Sequence, residues 1–515
     1  MASPFDEKAT PAHLSKSRYL SGLQCHKRLY LEVHSPELAS EADEQLEARL
    51  EMGTQIGELA RKSFPGGILV DVEGLRIPGA IARTSELMAD TKVPAIFEGM
   101  FSYGDVRVRA DVLERAKGNT WRLIEVKSST QVKEDHLDDV AVQAYVLTGA
   151  GISLEQSVLM HINNQYVYPG GDLDLGQLFL RQDVTSEVAA RQTEIPGRLA
   201  AMREMLTAPS APAIEPDHHC FDPCECPFWD HCTQAKPARW VFYLPGGRRT
   251  YQELTSQGVQ TIDEIPEGFR LTGIQQRMKN NAEWIGPGLR GALAGVRYPV
   301  HHLDFETFMP AIPRYPSTRP YQTIPFQWSN YVIGSDGQMR HEEYLCTERK
   351  DPREEFLRTL LASVGSEGTI CVYSGYEARI LKELADAFPR FQSDIDQAIE
   401  RFWDLLSVIR AYYYHPELKG SFSIKSVLPA VVPGLGYDDL EIQEGSMASL
   451  QYYRMIFEVS DEEERAKLRT ALLRYCERDT LAMVELRKAL LVKADKWLPE
   501  DRCRGVRRGG RERTS

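Results

Sequence analysis

Apolar residues recur at helical spacing from Leu14 to Leu31, flanking Cys25, and again over residues 44–64. Alternating or continuous apolar runs then predict strands over 67–72, 94–101, 105–115 and 120–128. A helix over 138–148 and a strand over 157–167 complete a mixed α/β pattern. A further helix over 184–206 ends at Ala208-Pro209-Ser210-Ala211-Pro212. Short helical pieces between glycine turns fill 236–296. A second β-rich pattern follows, with strands over 300–305, 325–333, 342–345 and 369–373. Helices are predicted over 352–364, 377–388, 394–413 and 461–496. The expected organisation is an α/β domain over 1–235, a small helical connector over 236–296, a second α/β domain over 297–497 and a basic, disordered tail over 498–515.

Composition narrows the function classes. A chain of 515 residues exceeds one hydrophobic core, and 42% hydrophobic with 26% charged residues is globular. No run approaches the ~20 apolar residues of a membrane span. Residues 1–15 carry no apolar leader, so a cytoplasmic location is expected. The net charge of −13 argues against coating nucleic acid by bulk attraction. It leaves room for acids that bind metal, with phosphate contacts from Lys27-Arg28, Arg248-Arg249 and residues 277–279. The arginine-rich tail is either a solvated end or a nucleic-acid contact.

Two acidic constellations carry chemistry. In the first, an alternating strand delivers Asp111, and after a Lys117-Gly118-Asn119 turn the next strand ends in Glu125-Val126-Lys127. Glu125 and Lys127 are two apart and leave the same face. A lysine beside two acids can help deprotonate water or steady charge on phosphorus; an ordinary hairpin with a surface ion pair is the structural alternative. Arg-Ala-Asp-Val-Leu, Ile-Glu-Val-Lys-Ser-Ser and a helix bearing Gln143 and Tyr145 resemble the RecB-type PD-(D/E)XK nuclease motifs. The resemblance implies a restriction-endonuclease-like fold, metal ligation by Asp111 and Glu125, and a catalytic Lys127. Glu58, or less directly Glu98, would fill the early motif position. The family's Gln-x-x-x-Tyr is shortened here to Gln143-Ala144-Tyr145.

Nine cysteines without a secretory leader suggest metal or spare thiols. Cys220, Cys226 and Cys232, with the distant Cys25, resemble the iron-sulfur staple of RecB-like nucleases, which implies a 4Fe–4S cluster with those four ligands. Cys224 leaves the ligand set open, and a four-thiolate zinc site is the alternative. Cys346, Cys371, Cys476 and Cys503 have no ligand spacing and read as ordinary residues.

In the second constellation, Asp304 and Glu306 leave one face of an apolar strand, and Tyr475 and Asp479 lie one helical turn apart. With Glu377 they resemble the DnaQ-like DEDD exonucleases of ribonuclease H-like fold, in the tyrosine variant. Glu377 stands where Asp is usual, and Asp404 is a spare carboxylate. The resemblance implies that Asp304, Glu306 and Asp479 hold two Mg²⁺ or Mn²⁺ ions ~3.5–4 Å apart, with Tyr475 orienting water. Residues 254–266 also resemble a helix-hairpin-helix element, against a plain structural connector. The pairing of the two nuclease-like domains resembles an uncharacterised bacterial family known as a domain of unknown function. The expected function is a metal-dependent nuclease acting on DNA in preference to RNA, as an exonuclease working 3′ to 5′. RNA processing, or an iron-sulfur nucleic-acid-binding scaffold with silent sites, are the alternatives. No P-loop motif is present, so unwinding would need a helicase partner.

Overall fold

Alternating strands need one sheet face covered and continuous apolar runs need both, and two separate units achieve this. A computed structural model of the chain describes residues 14–41, 43–71 and 76–496. The expected tail over 498–515, Cys503 and the last residue of the expected 67–72 strand lie outside them. The chain divides into one unit of Met1–Lys236 with Pro310–Gln322, and a second of Pro237–Met309 with Thr323–Ser515.

The first unit is built on strands Leu14–Ser15 (β1), Ile68–Leu69 (β2), Ala95–Tyr103 (β3), Val106–Arg115 (β4), Trp121–Lys127 (β5), Leu154–Ile162 (β6) and Phe179–Asp183 (β7). Their order is β2-β3-β4-β5-β6-β7, with β1 added parallel to part of β4. β3, β4 and β5 run antiparallel as a meander, and β6 returns parallel to β5. That crossover is the helix Glu134–Gly149, which buries Val140, Val142, Val146 and Leu147 against the sheet. A second apolar cluster, including Ile56, Phe64, Phe97, Val112 and Ile124, covers the opposite face. Ala311 and Tyr321, from the returning segment, pack into it.

The helix expected around Cys25 is two helices, Lys16–Gln24 (α1) and His26–His34 (α2). Cys25 sits between them in extended conformation and turns the chain. The 184–206 helix is likewise split, into Thr185–Arg191 and Ile195–Leu206, where Pro196 begins a new first turn.

The second unit contains Trp284–Ile285 (β8), Val300–Phe308 (β9), Ile324–Ile333 (β10), Met339–Leu345 (β11), Thr369–Val372 (β12), Phe402–Asp404 (β13) and Tyr413–Tyr414 (β14). Its main sheet has the order β11-β10-β9-β12-β13, antiparallel from β11 to β9 and parallel from β9 to β13. Every residue of β10 is buried, because the long helix Glu462–Lys496 crosses one face and Arg353–Val364 the other. Two expectations need correction. Residues 394–413 form Gln392–Ile399, the strand β13 and Leu405–Tyr412, because Phe402-Trp403-Asp404 pairs with β12 and Asp404 caps the next helix. Residues 237–296 are part of the second unit, where β8 pairs with β14. Its helices Gly247–Ser256 and Gly273–Asn280 are separated by sixteen residues with a 3-10 turn at Ile262–Glu264, which is no tight hairpin.

Candidate functional site

In the first unit, β4 and β5 bring Asp111 and Glu125 to one patch. The Val126 amide donates to Asp111 Oδ2 at 2.8 Å, fixing the aspartate beside the next strand. Glu125 is buried and surrounded by donors: Lys127 Nζ lies 2.9 Å and Lys16 Nζ 2.8 Å from Oε1, and Gln143 Nε2 donates to Oε2 at 2.7 Å. Asp139, one turn before Gln143, accepts from Gln143 at 2.9 Å, pairs with Lys16 at 3.1 Å and contacts Lys127. Three carboxylates therefore meet two ammonium groups. Burial alone would raise Glu125, but Lys127 and Lys16 outweigh it and hold the carboxyl well below its ordinary range. Asp111, with no direct lysine contact, is raised to about 7 by burial and by the Glu125 charge.

Lys16 and Asp139 were absent from the residues expected on sequence. Asp139 could have been found from its four-residue spacing to Gln143; Lys16 gives no such signal. Glu58 and Glu98 do not join the cluster. Glu58 is exposed on the helix Glu44–Arg61. Glu98 lies across the ladder from Asp111, between the pairs Phe97–Val112 and Gly99–Ala110, but has φ 56° and pairs with Arg109 at 2.8 Å. Tyr145 turns away as well, since two residues from Gln143 is the opposite helical face, and it packs edge-on against Tyr103.

The second unit gathers Asp304 and Glu306 from β9, Glu377 from the start of the helix Tyr376–Ala387, and Tyr475 and Asp479 from the long helix. Glu306, Glu377 and Asp479 are buried. Burial, then the charges of Asp479, Glu306 and Glu377, push Asp304 far above a normal carboxyl. Burial and Asp479 do the same to Glu306. Glu377 is raised to about 8, first by burial, and its buried Oε2 has no hydrogen-bond partner. Burial raises Asp479 as well, but only to about 6, because Tyr437 and Tyr475 donate to it and Lys425 lies near. Lys425 Nζ stands 5.2 Å over the Tyr475 ring and 5.5 Å over that of Tyr437. Asp404 accepts from the Ser407 amide at 3.2 Å as the cap of the next helix, and its charge adds to the rise of Glu377.

Cys476, expected to be an ordinary residue, belongs to this pocket. Its Sγ lies 3.8 Å from Asp304 Oδ2. Ligand atoms of Asp304, Glu306 and Cys476 all fall within 4.8 Å of one another, the one such group of His, Cys, Asp and Glu among the described residues. Helical spacing was the signal that could have found it: Cys476 is three residues before Asp479 and shares its face.

Cys25, Cys220, Cys226 and Cys232 line one small cavity with Phe228 and Trp229. Burial raises the Cys226 thiol to about 11 and also raises Cys220 and Cys232. Cys224 is exposed and outside the cavity, its sulfur accepting from Arg28 at 3.3 Å. No three of the four cavity sulfurs lie within 4.8 Å of one another.

Residues 301–423 match a family described as a domain of unknown function (DUF2779). The match takes in Asp304, Glu306 and Glu377 but ends before Tyr475 and Asp479. A relative named Uncharacterized protein UU173, from Ureaplasma parvum serovar 3 (strain ATCC 700970), is 28% identical over 232 residues, 40% of this chain. The match spans only 33% of that relative's length. A solved structure titled Crystal structure of SSO0001 aligns at 13% identity over 41% of this chain and 90% of its own, with a TM-score of 0.19, too low to bear on the fold. No helix among the described residues is long and apolar enough to cross a membrane.

Proposed function

We propose that the chain is a cytoplasmic, metal-dependent nuclease that hydrolyses phosphodiester bonds of DNA. It would carry a PD-(D/E)XK-like site in the first unit and a DEDD-like 3′-to-5′ exonuclease site in the second. The observation that carries this reading is the second pocket, where four carboxylates from three separate elements converge with one buried Glu377 oxygen unpartnered. Such a set is held at neutral pH most readily by cations. The strand order β11-β10-β9-β12-β13, three antiparallel strands extended by two parallel ones, supports a ribonuclease H-like reading of that unit.

Asp304, Glu306 and Asp479 would hold the cations, with Glu377 beside them. When bound, divalent cations supply the positive charge that activates water and steadies the departing 3′ oxygen. Tyr475, hydrogen-bonded to Asp479, orients the attacking water, and Lys425 lends positive charge to a backbone phosphate. In the first unit, Asp111 and Glu125 would be the ligands and Lys127 would steady charge on phosphorus. Unwinding of a duplex would fall to a helicase partner.

The cysteine cavity offers the four thiolates that a 4Fe–4S cluster needs, with a four-thiolate zinc site as the alternative. Brown protein, bleached by dithionite, is the expected observation; colourless protein with stoichiometric zinc would overturn it.

End-labelled DNA and RNA digested with Mn²⁺ test the function. Stepwise loss from the 3′ end of DNA is expected, abolished by Asp304→Asn and retained by Lys127→Ala. RNA cleaved faster than DNA would reassign the substrate, and no product from any substrate would favour the scaffold reading.

A further inference from the structure

We infer that Lys16 is a resident cation of the first-unit site: its ammonium takes the place of a second metal ion, so that Asp111 and Glu125 hold a single divalent cation. The inference rests on the proposed reading of these acids as a metal site, and it deepens that reading by fixing the number of ions.

The oxygen inventory argues for it. Lys16 Nζ lies 2.8 Å from Glu125 Oε1 and 3.1 Å from Asp139 Oδ1. Lys127 meets the same Glu125 oxygen at 2.9 Å and takes the other oxygen of Asp139. Gln143 occupies Glu125 Oε2, and the Val126 amide occupies Asp111 Oδ2. Asp139 is thus committed to two ammoniums and a carboxamide. What remains to an incoming ion is Asp111 Oδ1 and the spare lone pairs of Glu125, a set for one cation. A second divalent ion beside Asp139 would meet the Lys16 charge at contact distance, an arrangement that low-dielectric surroundings make unfavourable.

Lys16 is also held in place. Leu14 and Ser15 pair with Val106 and Arg107, Leu14 is fully buried, and the Ser15 side chain caps α1 by accepting from the Arg18 amide. Lys16 is the first residue of that helix, delivered from 109 positions away in sequence. Nothing about it is a loose surface lysine.

The test counts ions rather than turnover. In the full chain carrying Asp304→Asn and Asp479→Asn, which silence the second pocket, Mn²⁺ binding is followed by electron paramagnetic resonance. One ion is expected with Lys16 present, one with Lys16→Arg, and two with Lys16→Met. Equal counts for Lys16 and Lys16→Met, zero included, overturn the inference. Should Lys16→Met fold poorly, its melting temperature is expected to rise on adding Mn²⁺ by more than the parent's; an equal or smaller rise also overturns it. A shift from one ion to two, when the chain without any of these substitutions cleaves nothing, would leave Lys16 as inferred and defeat the nuclease reading. Cleavage at this site with an unchanged count would do the reverse.

Discussion

Both units bury a cluster of acids, and they solve the resulting repulsion in opposite ways. In the first unit, Asp111, Glu125 and Asp139 face Lys16 and Lys127, so the charge is nearly cancelled by the chain itself and Glu125 is ionised strongly. In the second, Asp304, Glu306, Glu377 and Asp479 have Lys425 nearby but no direct ammonium contact, and all four carboxyls are raised. Two unit charges 4 Å apart interact by about 4 kcal/mol at the effective dielectric near a protein surface, enough to decide protonation. The lesson is that acid count alone does not identify a cation-hungry pocket; the positions of the lysines do.

The contrast is broken most directly by removing one charge from each cluster and reading stability with divalent cations chelated. Glu125→Gln leaves Lys16 and Lys127 sharing Asp139 as their direct carboxylate partner, and a loss of about 3 kcal/mol is expected by denaturant unfolding. Asp304→Asn should do the opposite, relieving repulsion and raising metal-free stability by on the order of 1–3 kcal/mol. The same substitution should remove the second pocket's share of the stabilisation by Mn²⁺, about 2.7 kcal/mol at a hundredfold excess over Kd. If both substitutions shift stability in the same direction, the two clusters are electrostatically alike and the contrast fails.

How far these clusters could be seen in the sequence depends on the range of the geometry. Asp304 with Glu306, and Tyr475 with Asp479, are fixed by one strand and one helix, so their spacing alone states that they share a face. Cys220, Cys226 and Cys232 were legible as a cluster, with exposed Cys224 left open by spacing alone, whereas the distant Cys25 came only with the family resemblance. Lys16 was not legible, because it reaches Glu125 only after β1 pairs with β4. Tyr437, which donates to Asp479 from a segment of irregular structure, escaped for the same reason. Apolar content over 394–413 suits a helix or a strand, and only pairing with β12 decides for β13. Local periodicity thus discloses faces, while the counter-charges that set a site's electrostatics arrive through tertiary pairing.

Acidity sharpens the comparison. A carboxyl raised by folding contributes stability that is present below its unfolded value, near 4.5 for Glu377, and is lost as pH rises through its folded value of about 8. The metal-free second unit should therefore weaken between pH 6.5 and 8 by about 1.4 kcal/mol per pH unit for each proton retained. Lys425 and the two tyrosines at Asp479 temper this by favouring its charge. Below pH 6.5 two histidines oppose this trend. Burial pushes His301 and His302 down to about 4 and about 3, with Arg401 and Arg340 near the first and Arg487 near the second, so their stability is lost as the medium acidifies. Glu125, held low, keeps its contribution throughout the neutral range. Denaturant midpoints of the chelated protein at pH 6.5, 7.2 and 8 check the slope. A second unit with no slope over this range would mean that its acids are ionised without metal.

The smallest expected effect concerns Cys476, which distinguishes the second pocket in kind as well as in charge. The first-unit cluster offers oxygen ligands, whereas the second places a thiol within 4.8 Å of Asp304 and Glu306 ligand atoms. A thiolate is a soft donor, and Mn²⁺, Co²⁺ and Zn²⁺ accept it more readily than Mg²⁺, which demands oxygen. Cys476→Ala should leave Mg²⁺ affinity unchanged and weaken Co²⁺ binding several-fold, roughly 1 kcal/mol. The cavity cysteines are present in parent and variant alike, so subtracting the two Co²⁺ spectra isolates any sulfur-to-cobalt absorption due to Cys476. A null difference spectrum with equal affinities would make Cys476 a packing residue. The two units would then differ only in where their positive charges stand.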